Sequence, residues 1–394
     1  MSKKIAFVSP MFTGSILPLI KHFIGRGYYV DLYIITLDNI ISNPEGWDCE
    51  IHVPKIGYNK ISKEDFGSVS SYLNIEKFSL YALKMLHPYA TIPVLRNAVE
   101  LFSYIYLRNT ARYMNRQGYC FVNFVGLYTN YYFIPLIKKI NSKVLVTLHE
   151  VCNHSAPDFK NPSKLVSFLI KNSIDVIVPS EKSYNDMMCY DNIIERNLHI
   201  IKFGLFESYQ TVQEDLSLNF PDNYLLYIGN INKYKGIDIL ADALGKSKLD
   251  IRIIIAGRGN DESIQLLEKD KRVTLINRYL TNGEFVYLIK NCRAIVCPYR
   301  SSSQSGIPQV AFIYNKTIIA SNIPYWKSVL QDGNLGALFE SENSTNLERL
   351  INVLMSEDET IKKYAAKINI FKKQKNDSNW DCIVDLYINK FINS

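Results

Sequence analysis

Two loops in the second half of the chain carry the residue types that hold a phosphate. The first lies in Leu226-Tyr227-Ile228-Gly229-Asn230-Ile231-Asn232-Lys233-Tyr234-Lys235-Gly236-Ile237-Asp238-Ile239-Leu240, which reads as a strand ending at Gly229, a polar loop, and a helix opening near Gly236. A lysine delivered there neutralises an anion, and neighbouring backbone N–H groups add donors. The second runs Cys297-Pro298-Tyr299-Arg300-Ser301-Ser302-Ser303-Gln304-Ser305-Gly306-Ile307-Pro308-Gln309-Val310-Ala311, small and hydroxyl residues between a strand and a helical pattern. Such a loop lets amides approach a negative group at a helix N-terminus, where the dipole favours it. Taken together they predict a diphosphate cradle with Lys235 as its main cation. The plainer reading is a solvated lysine and an ordinary serine-rich loop. No Asp-x-Asp occurs in the 394 residues, so nothing specifies a bridging divalent metal, and no cofactor is expected. Lys235, a nearby arginine and the amides around Ser305 and Gly306 would hold the diphosphate.

The first half offers less. Ser9-Pro10-Met11-Phe12-Thr13-Gly14-Ser15 follows a strand and leads into a helix, but a lone Gly14 falls short of Gly-x-Gly-x-x-Gly, and a plain β–α turn serves equally well. Leu145-Val146-Thr147-Leu148-His149-Glu150 sets His149 at the carboxyl end of a strand, with Glu150 beside it to orient the ring or bind acceptor hydroxyls. His154 is a weaker candidate, and His22, His52, His87 and His199 have no comparable placement. The seven cysteines contain no Cys-x-x-Cys pair and read as reduced and structural, Cys152 and His154 alone being a poor metal motif. In Leu95–Arg116, Arg96, Arg108, Arg112 and Arg116 are interspersed with Phe102, Tyr104, Ile105, Tyr106 and Leu107. The last three arginines share one helical face, which suits either an anionic membrane surface or plain solvation.

These residues need strands and helices to position them, and both halves supply the alternation. Short apolar runs recur at Ile5–Val8, Val30–Ile35, Phe121–Val125, Val144–Leu148 and Val176–Val178. They recur again at Tyr224–Ile228, Ile251–Ala256, Val273–Ile276, Ala294–Cys297 and Thr317–Ala320, with helical patterns between. Continuous apolar strands alternating with helices predict parallel sheets covered on both faces, hence two doubly wound α/β domains facing a central cleft lined by the loops after the strands. The expected borders are 1–205, a polar linker 206–222, a second domain 223–375, and a C-terminal helix 376–394. Asp377-Ser378-Asn379-Trp380 would cap that helix, and Trp380 would anchor it.

The composition, 47% hydrophobic and 21% charged, excludes a disordered chain or a membrane bundle. Residues 1–205 hold 22 Lys and Arg against 16 Asp and Glu, and the remainder 23 against 22, so the basic excess lies in the first half. That excess suits anionic lipid headgroups or phosphate-bearing acceptors, or plain solvation. No run reaches the ~20 apolar residues of a spanning helix and no signal peptide is evident, so a cytoplasmic location is expected.

The second half resembles the donor domain of retaining GT-B glycosyltransferases, the family 4 group rich in bacterial polysaccharide and lipopolysaccharide enzymes. The resemblance covers most of residues 224–341. It is carried by Gly229 to Leu240, Ala256-Gly257-Arg258-Gly259, Asn277-Arg278-Tyr279-Leu280, the serine-rich loop and Lys316-Thr317-Ile318-Ile319-Ala320-Ser321. It implies that Lys235 contacts the donor diphosphate and that Arg278, Tyr279 and Leu280 frame the base through backbone atoms. It further implies that His149 lies near the transferred sugar, and that the loop bearing Thr13 and Gly14 approaches donor phosphates and acceptor. The final helix would cross back onto the first domain.

Two departures stand out. The family's Glu, seven residues, Glu pattern falls on Ser302 and Val310, and Ser303-Gln304-Ser305-Gly306 resembles a variant in which a Gln-Ser-Gly loop replaces the first Glu. Gln309 is then the residue placed to reach a ribose hydroxyl. The arginine usual after the strand glycine is replaced by Asn230 or Asn232, which leaves Arg258 or Arg300 to restore the charge. The implied reaction is metal-free transfer of a hexosyl group, with retention, from a nucleoside diphosphate sugar to a glycan or lipid-linked glycan at the inner face of the membrane. The alternatives are a nucleotide-sugar epimerase of the same fold and a degenerate sugar-nucleotide-binding partner.

Overall fold

The computed structural model describes residues 3–10, 13–85, 105–126, 133–151 and 161–393. The chain divides into two units, Met1–Thr211 with Asn376–Ser394, and Val212–Lys375.

The strands of the first unit are β1 (Lys4–Ser9), β2 (Tyr29–Thr36), β3 (Ile40–Ser42), β4 (Glu50–His52), β5 (Gly57–Lys60), β6 (Phe78–Lys84), β7 (Phe121–Val125), β8 (Lys143–Thr147), β9 (Asp175–Val178) and β10 (Leu198–Ile200). Eight form one sheet in the order β10-β9-β8-β7-β1-β2-β6-β5. All neighbours are parallel except β5, which pairs antiparallel with β6. β3 and β4 make a separate antiparallel ribbon. Central strands such as β1 and β7 are buried along nearly their whole length, as expected where helices cover both faces. One face packs Ile5, Phe7, Phe23, Trp47 and Phe121 with Trp380 and Tyr387, and the other packs Val8, Tyr33, Tyr81, Phe124 and Leu136.

The C-terminal helix Trp380–Tyr387 therefore belongs to the first unit's core. Asn379 caps it, accepting from the Asp381 and Cys382 amides. Trp380 is buried and its indole N–H donates to the Leu205 carbonyl at 2.7 Å.

The second unit contains β11 (Tyr224–Ile228), β12 (Ile253–Ala256), β13 (Val273–Ile276), β14 (Cys292–Cys297), β15 (Thr317–Ser321) and β16 (Ala337–Phe339), all parallel, in the order β13-β12-β11-β14-β15-β16. Its core joins Leu225, Tyr227, Ile255, Val296 and Ile319 to Leu240 and Leu244 of the helix Ile237–Lys246 and to Leu347 and Ile351 of the helix Ser344–Ser356.

Both units are α/β with parallel sheets, and all ten apolar runs form strands. The sequence reading missed β6, β10, β16 and the short β3, β4 and β5. β10 and β16 have only three residues each, too few for a period to show. β6 reads Phe-Ser-Leu-Tyr-Ala-Leu-Lys, and its Ser interrupts the apolar run that marks the others. Residues 206–222 are not a separate linker. Residues 206–211 close the first unit with the 3-10 turn Glu207–Thr211, and residues 212–222 open the second. No described helix is long and apolar enough to cross a membrane.

Candidate functional site

In an open parallel sheet a ligand binds beyond the carboxyl ends of the strands, where the strand order reverses. In the second unit β12 and β13 continue from one side of β11, while β14, β15 and β16 continue from the other, so the reversal lies between β11 and β14. The loops that leave these two strands hold Lys235 and the serine-rich segment.

The Lys235 loop is fitted closely. Gly257 has φ 141°, and a Cβ there would lie 2.0 Å from the Gly229 carbonyl oxygen, so glycine is what lets the β12 end touch the β11 end. One step on, Ile231 bridges Gly259, and the Asn277 side-chain amide donates to the Gly259 carbonyl and accepts from its N–H, both at 3.1 Å. Three loops are thereby joined edge to edge.

Lys235 ends the single 3-10 turn Lys233–Lys235, and Gly236 follows at φ 67° as the N-cap of the helix Ile237–Lys246. The ammonium donates to the Tyr299 hydroxyl at 3.2 Å and stands 4.6 Å from that ring's centroid. It also occupies the space beside Gly229 where a side chain would begin, 3.3 Å from an ideal Cβ. Burial pushes the Tyr299 phenol well above its ordinary range, so it stays a neutral acceptor.

The other residues expected to bind donor fall into three groups. Asn230, Arg258 and Tyr279 are exposed on the rim, with the Arg258 guanidinium 5.1 Å from the Tyr279 ring centroid. Arg278 is also exposed, but its side chain turns back on its own loop. It donates to Glu284 at 2.8 and 2.5 Å and to the Tyr279 carbonyl at 3.1 Å. Glu284 completes a capping box with Thr281, and Arg278 beside it holds its carboxyl below the usual range. Leu280 is half-buried. Arg278 thus braces its own loop through its side chain.

The serine-rich loop differs from expectation. Ser303 and Ser305 are buried, Gln304 and Gly306 half-buried, and the Ser302 hydroxyl donates to the Gln304 carbonyl at 3.0 Å. The Ser305 N–H, expected to face an anion, donates at 2.9 Å to the Tyr325 hydroxyl, which in turn donates to the Ser305 carbonyl at 3.0 Å. The helix beyond it, Ile307–Ala311, has only five residues and carries Pro308 in its first turn, so its amide set is small. Val310 is in the core, and the Gln309 Oε1 is occluded without a protein hydrogen-bond partner.

Arg300, expected to restore charge facing the donor, is bonded within the protein. Its guanidinium is taken up by Asp238, Glu342 and the Lys233 carbonyl. The sequence reading missed these partners, and it missed Tyr299, Tyr325 and Asn277 as structural supports of the site. Only the position of Asp238, three residues after Lys235 on an opening helix, hinted at them.

In the first unit the strand order reverses between β1 and β7. Thr13 and Gly14 start the helix Thr13–Gly25 just beyond β1, both buried. The Thr13 hydroxyl donates at 2.5 Å to the Glu45 carbonyl oxygen, and a Cβ at Gly14 would lie 3.2 Å from the Tyr209 ring and 3.5 Å from the Glu45 Cβ. Glu45 is thus a site neighbour the sequence reading missed. Its side chain keeps exposed surface, but the surrounding protein strips enough water to push its carboxyl up to about 7. His149 lies two residues past β8 with its ring buried and edge-on to Phe203 at 5.0 Å, and burial pushes it down to about 4. Glu150 beside it is half-buried. Cys152, His154, Arg96, Phe102 and Tyr104 lie outside the described residues. Arg108, Arg112 and Arg116 are exposed, and Leu107, Ala111 and Met114 of the same segment are in the core.

Residues 209–370 match the model of glycosyl transferases group 1. That match coincides closely with the second unit. The group 1 segment therefore contains the donor-side residues of the second unit discussed above. The O-antigen chain mannosyltransferase C of Escherichia coli is 26% identical over 231 residues, which cover 56% of this chain and 61% of that protein. The N-acetylgalactosamine-N,N'-diacetylbacillosaminyl-diphospho-undecaprenol 4-alpha-N-acetylgalactosaminyltransferase of Campylobacter jejuni is 22% identical over 259 residues, 62% of this chain and 69% of that protein. Among solved structures, WaaG, described as a glycosyltransferase involved in lipopolysaccharide biosynthesis, superposes with a TM-score of 0.59 at 13% identity, covering 97% of this chain and 99% of that one. The fold is GT-B.

Proposed function

We propose that this chain is a glycosyltransferase that moves a hexosyl group from a nucleoside diphosphate sugar to a glycan or lipid-linked glycan in surface polysaccharide synthesis. The observation that carries the reading is the Lys235 ammonium, fixed between Tyr299 and Gly229 at the strand-order reversal of the unit that matches group 1. The names of the relatives support it. One is a mannosyltransferase of O-antigen chains, and the other acts on a diphospho-undecaprenol glycan.

In the proposed reaction the acceptor oxygen bonds to the anomeric carbon as the bond from that carbon to the phosphate oxygen breaks. Attack comes on the leaving-group face, so configuration is retained, and the departing phosphate takes the acceptor proton. Lys235 stabilises the growing negative charge, so a divalent ion is not required in this scheme. Arg258, Tyr279 and the backbone of Arg278–Leu280 frame the nucleoside, and Thr13, Glu150 and the neutral His149 face the sugar and acceptor. The protein would work in the cytoplasm, at the inner face of the membrane where a lipid-linked acceptor resides.

Incubation with a panel of nucleotide sugars, with and without a polyprenyl diphosphate glycan, reports turnover as released nucleoside diphosphate. Lys235→Ala is expected to lose ~10²–10³ in turnover. Near-normal turnover in that variant would remove Lys235 from the reaction. A second reading, a sugar-nucleotide-binding partner without activity, is favoured by one observation: Ser302 and Val310 stand where the family carries glutamates. Tight nucleotide-sugar binding with no release under any acceptor would select it, while conversion of the donor sugar to its epimer would select the epimerase.

A further inference from the structure

The segment beyond β14 grips the turn that carries Lys235. A Cβ on Gly236 would lie 1.9 Å from the Pro298 carbonyl oxygen, the Tyr299 hydroxyl accepts from the Lys235 ammonium, and the Arg300 backbone N–H donates to the Tyr234 carbonyl at 2.7 Å. Three consecutive residues, 298–300, thus meet three consecutive residues, 234–236.

The Arg300 side chain completes the grip. Nη1 donates to the Lys233 carbonyl at 2.7 Å and to Asp238 Oδ1 at 2.8 Å. Nη2 donates to Asp238 Oδ2 at 2.7 Å and to Glu342 Oε2 at 3.0 Å, and Nε pairs with Glu342 Oε1 at 2.7 Å. A guanidinium has five N–H donors in a fixed plane, and here the four on Nη1 and Nη2 are hydrogen-bonded while Nε only pairs with a carboxylate. Turning either Nη toward a phosphate would give up one of these bonds. Two carboxylates surround it, so the cluster carries no positive excess either. Asp238 is held below its ordinary carboxylate range by Arg300, and Arg300 is held further above its own by Asp238, as expected of a tight pair.

We propose that Arg300 is a positioning residue for nucleoside diphosphate binding, fixing the Lys235 turn through the Lys233 and Tyr234 carbonyls while Asp238 and Glu342 hold its guanidinium in plane. The proposal rests on the reading of Lys235 as the diphosphate cation. It differs in sign from a direct electrostatic role. If Arg300 acted on phosphate by its charge, neutralising the nearby Glu342 would raise the local potential and tighten binding. If it acts by holding the turn, losing Glu342 loosens the guanidinium and weakens binding.

Titrations of the full chain with UDP and with GDP by calorimetry decide it. Glu342→Gln and Arg300→Lys are each expected to weaken whichever diphosphate binds by roughly threefold to tenfold, because a lysine cannot span both carboxylates and the carbonyl. The effect of Lys235→Ala should be smaller in the Arg300→Lys background than in the native chain, the mark of two groups acting as one. Unchanged or tighter binding in Glu342→Gln overturns the proposal, as do effects of Arg300→Lys and Lys235→Ala that simply multiply. Should Arg300→Lys fail to fold, as judged by circular dichroism, the sign of the change in the exposed Glu342→Gln variant still decides between the two roles. Unchanged binding in Lys235→Ala alone removes the function proposed above and this inference with it, whereas a large loss there without coupling removes only this one.

Discussion

His149 shows how the environment fixes what a side chain can do. Burial pushes its ring from 6.5 down to about 4, so near neutral pH it is uncharged and can act through a hydrogen bond or packing but not as a cation. This depression sets the sign of its effect on stability. As pH falls below about 6.5 the unfolded chain takes a proton on this ring that the folded chain refuses until about 4, so the folded state loses stability across that window. Chemical denaturation between pH 7 and 4 should therefore show a shallower decline for His149→Asn than for the native chain. Equal slopes would mean the ring is solvated enough to titrate normally. Arg300 teaches the same lesson from the other side: a guanidinium read as a charge supplied to ligand is, once its acceptors are counted, a fastener.

Among the elements, the turn Lys233–Lys235 and the helix it feeds depend on one glycine. Gly236 adopts a left-handed conformation that costs other residues about 1–2 kcal/mol, and a Cβ there would also drive into the Pro298 carbonyl. Gly236→Ala is expected to separate the Lys235 turn from the segment 298–300. Nucleoside diphosphate affinity should fall by roughly tenfold or more, with a lowered thermal midpoint. Affinity unchanged beside a lowered midpoint would show that the turn tolerates the separation. The loops after β11, β12 and β13 are stitched by main-chain and amide contacts of Gly229, Ile231, Gly257, Gly259 and Asn277, so this rim is set by backbone approach rather than by side-chain charge.

On the scale of the whole molecule the chain is two parallel-sheet units with separate cores, the first closed by the C-terminal helix. Charge is unevenly shared between them, with the basic excess in residues 1–205. Arg108, Arg112 and Arg116 are exposed while the apolar residues between them are in the core, so the basic face is available to an anionic surface. Sedimentation with vesicles is expected to recover more protein on phosphatidylglycerol-containing bilayers than on neutral ones, and salt should reverse it. Equal recovery on both, or none on either, would return this face to plain solvation.

The ten principal strands and the two-unit division of an α/β chain were legible in the residues, because strands buried on both faces must be continuously apolar and helices must separate them. The positions of the Lys235 loop and the serine-rich loop were legible for the same reason: an apolar run that stops at Gly229 or Cys297 marks the next residues as the loop at a strand's carboxyl end. What the residues could not disclose was the pairing across strands. Tyr325 is twenty residues from Ser305 and takes its amide, Asp238 and Glu342 converge on Arg300 from two directions in the chain, and Tyr299 reaches Lys235 from the loop after the neighbouring strand. By itself the sequence determined the periodicity, the positions of the loops and the residue types placed in them, since these depend on local order. Only the tertiary structure decided which of those polar groups face outward and which are consumed in holding the loops, because hydrogen-bond partners are chosen by distance in space.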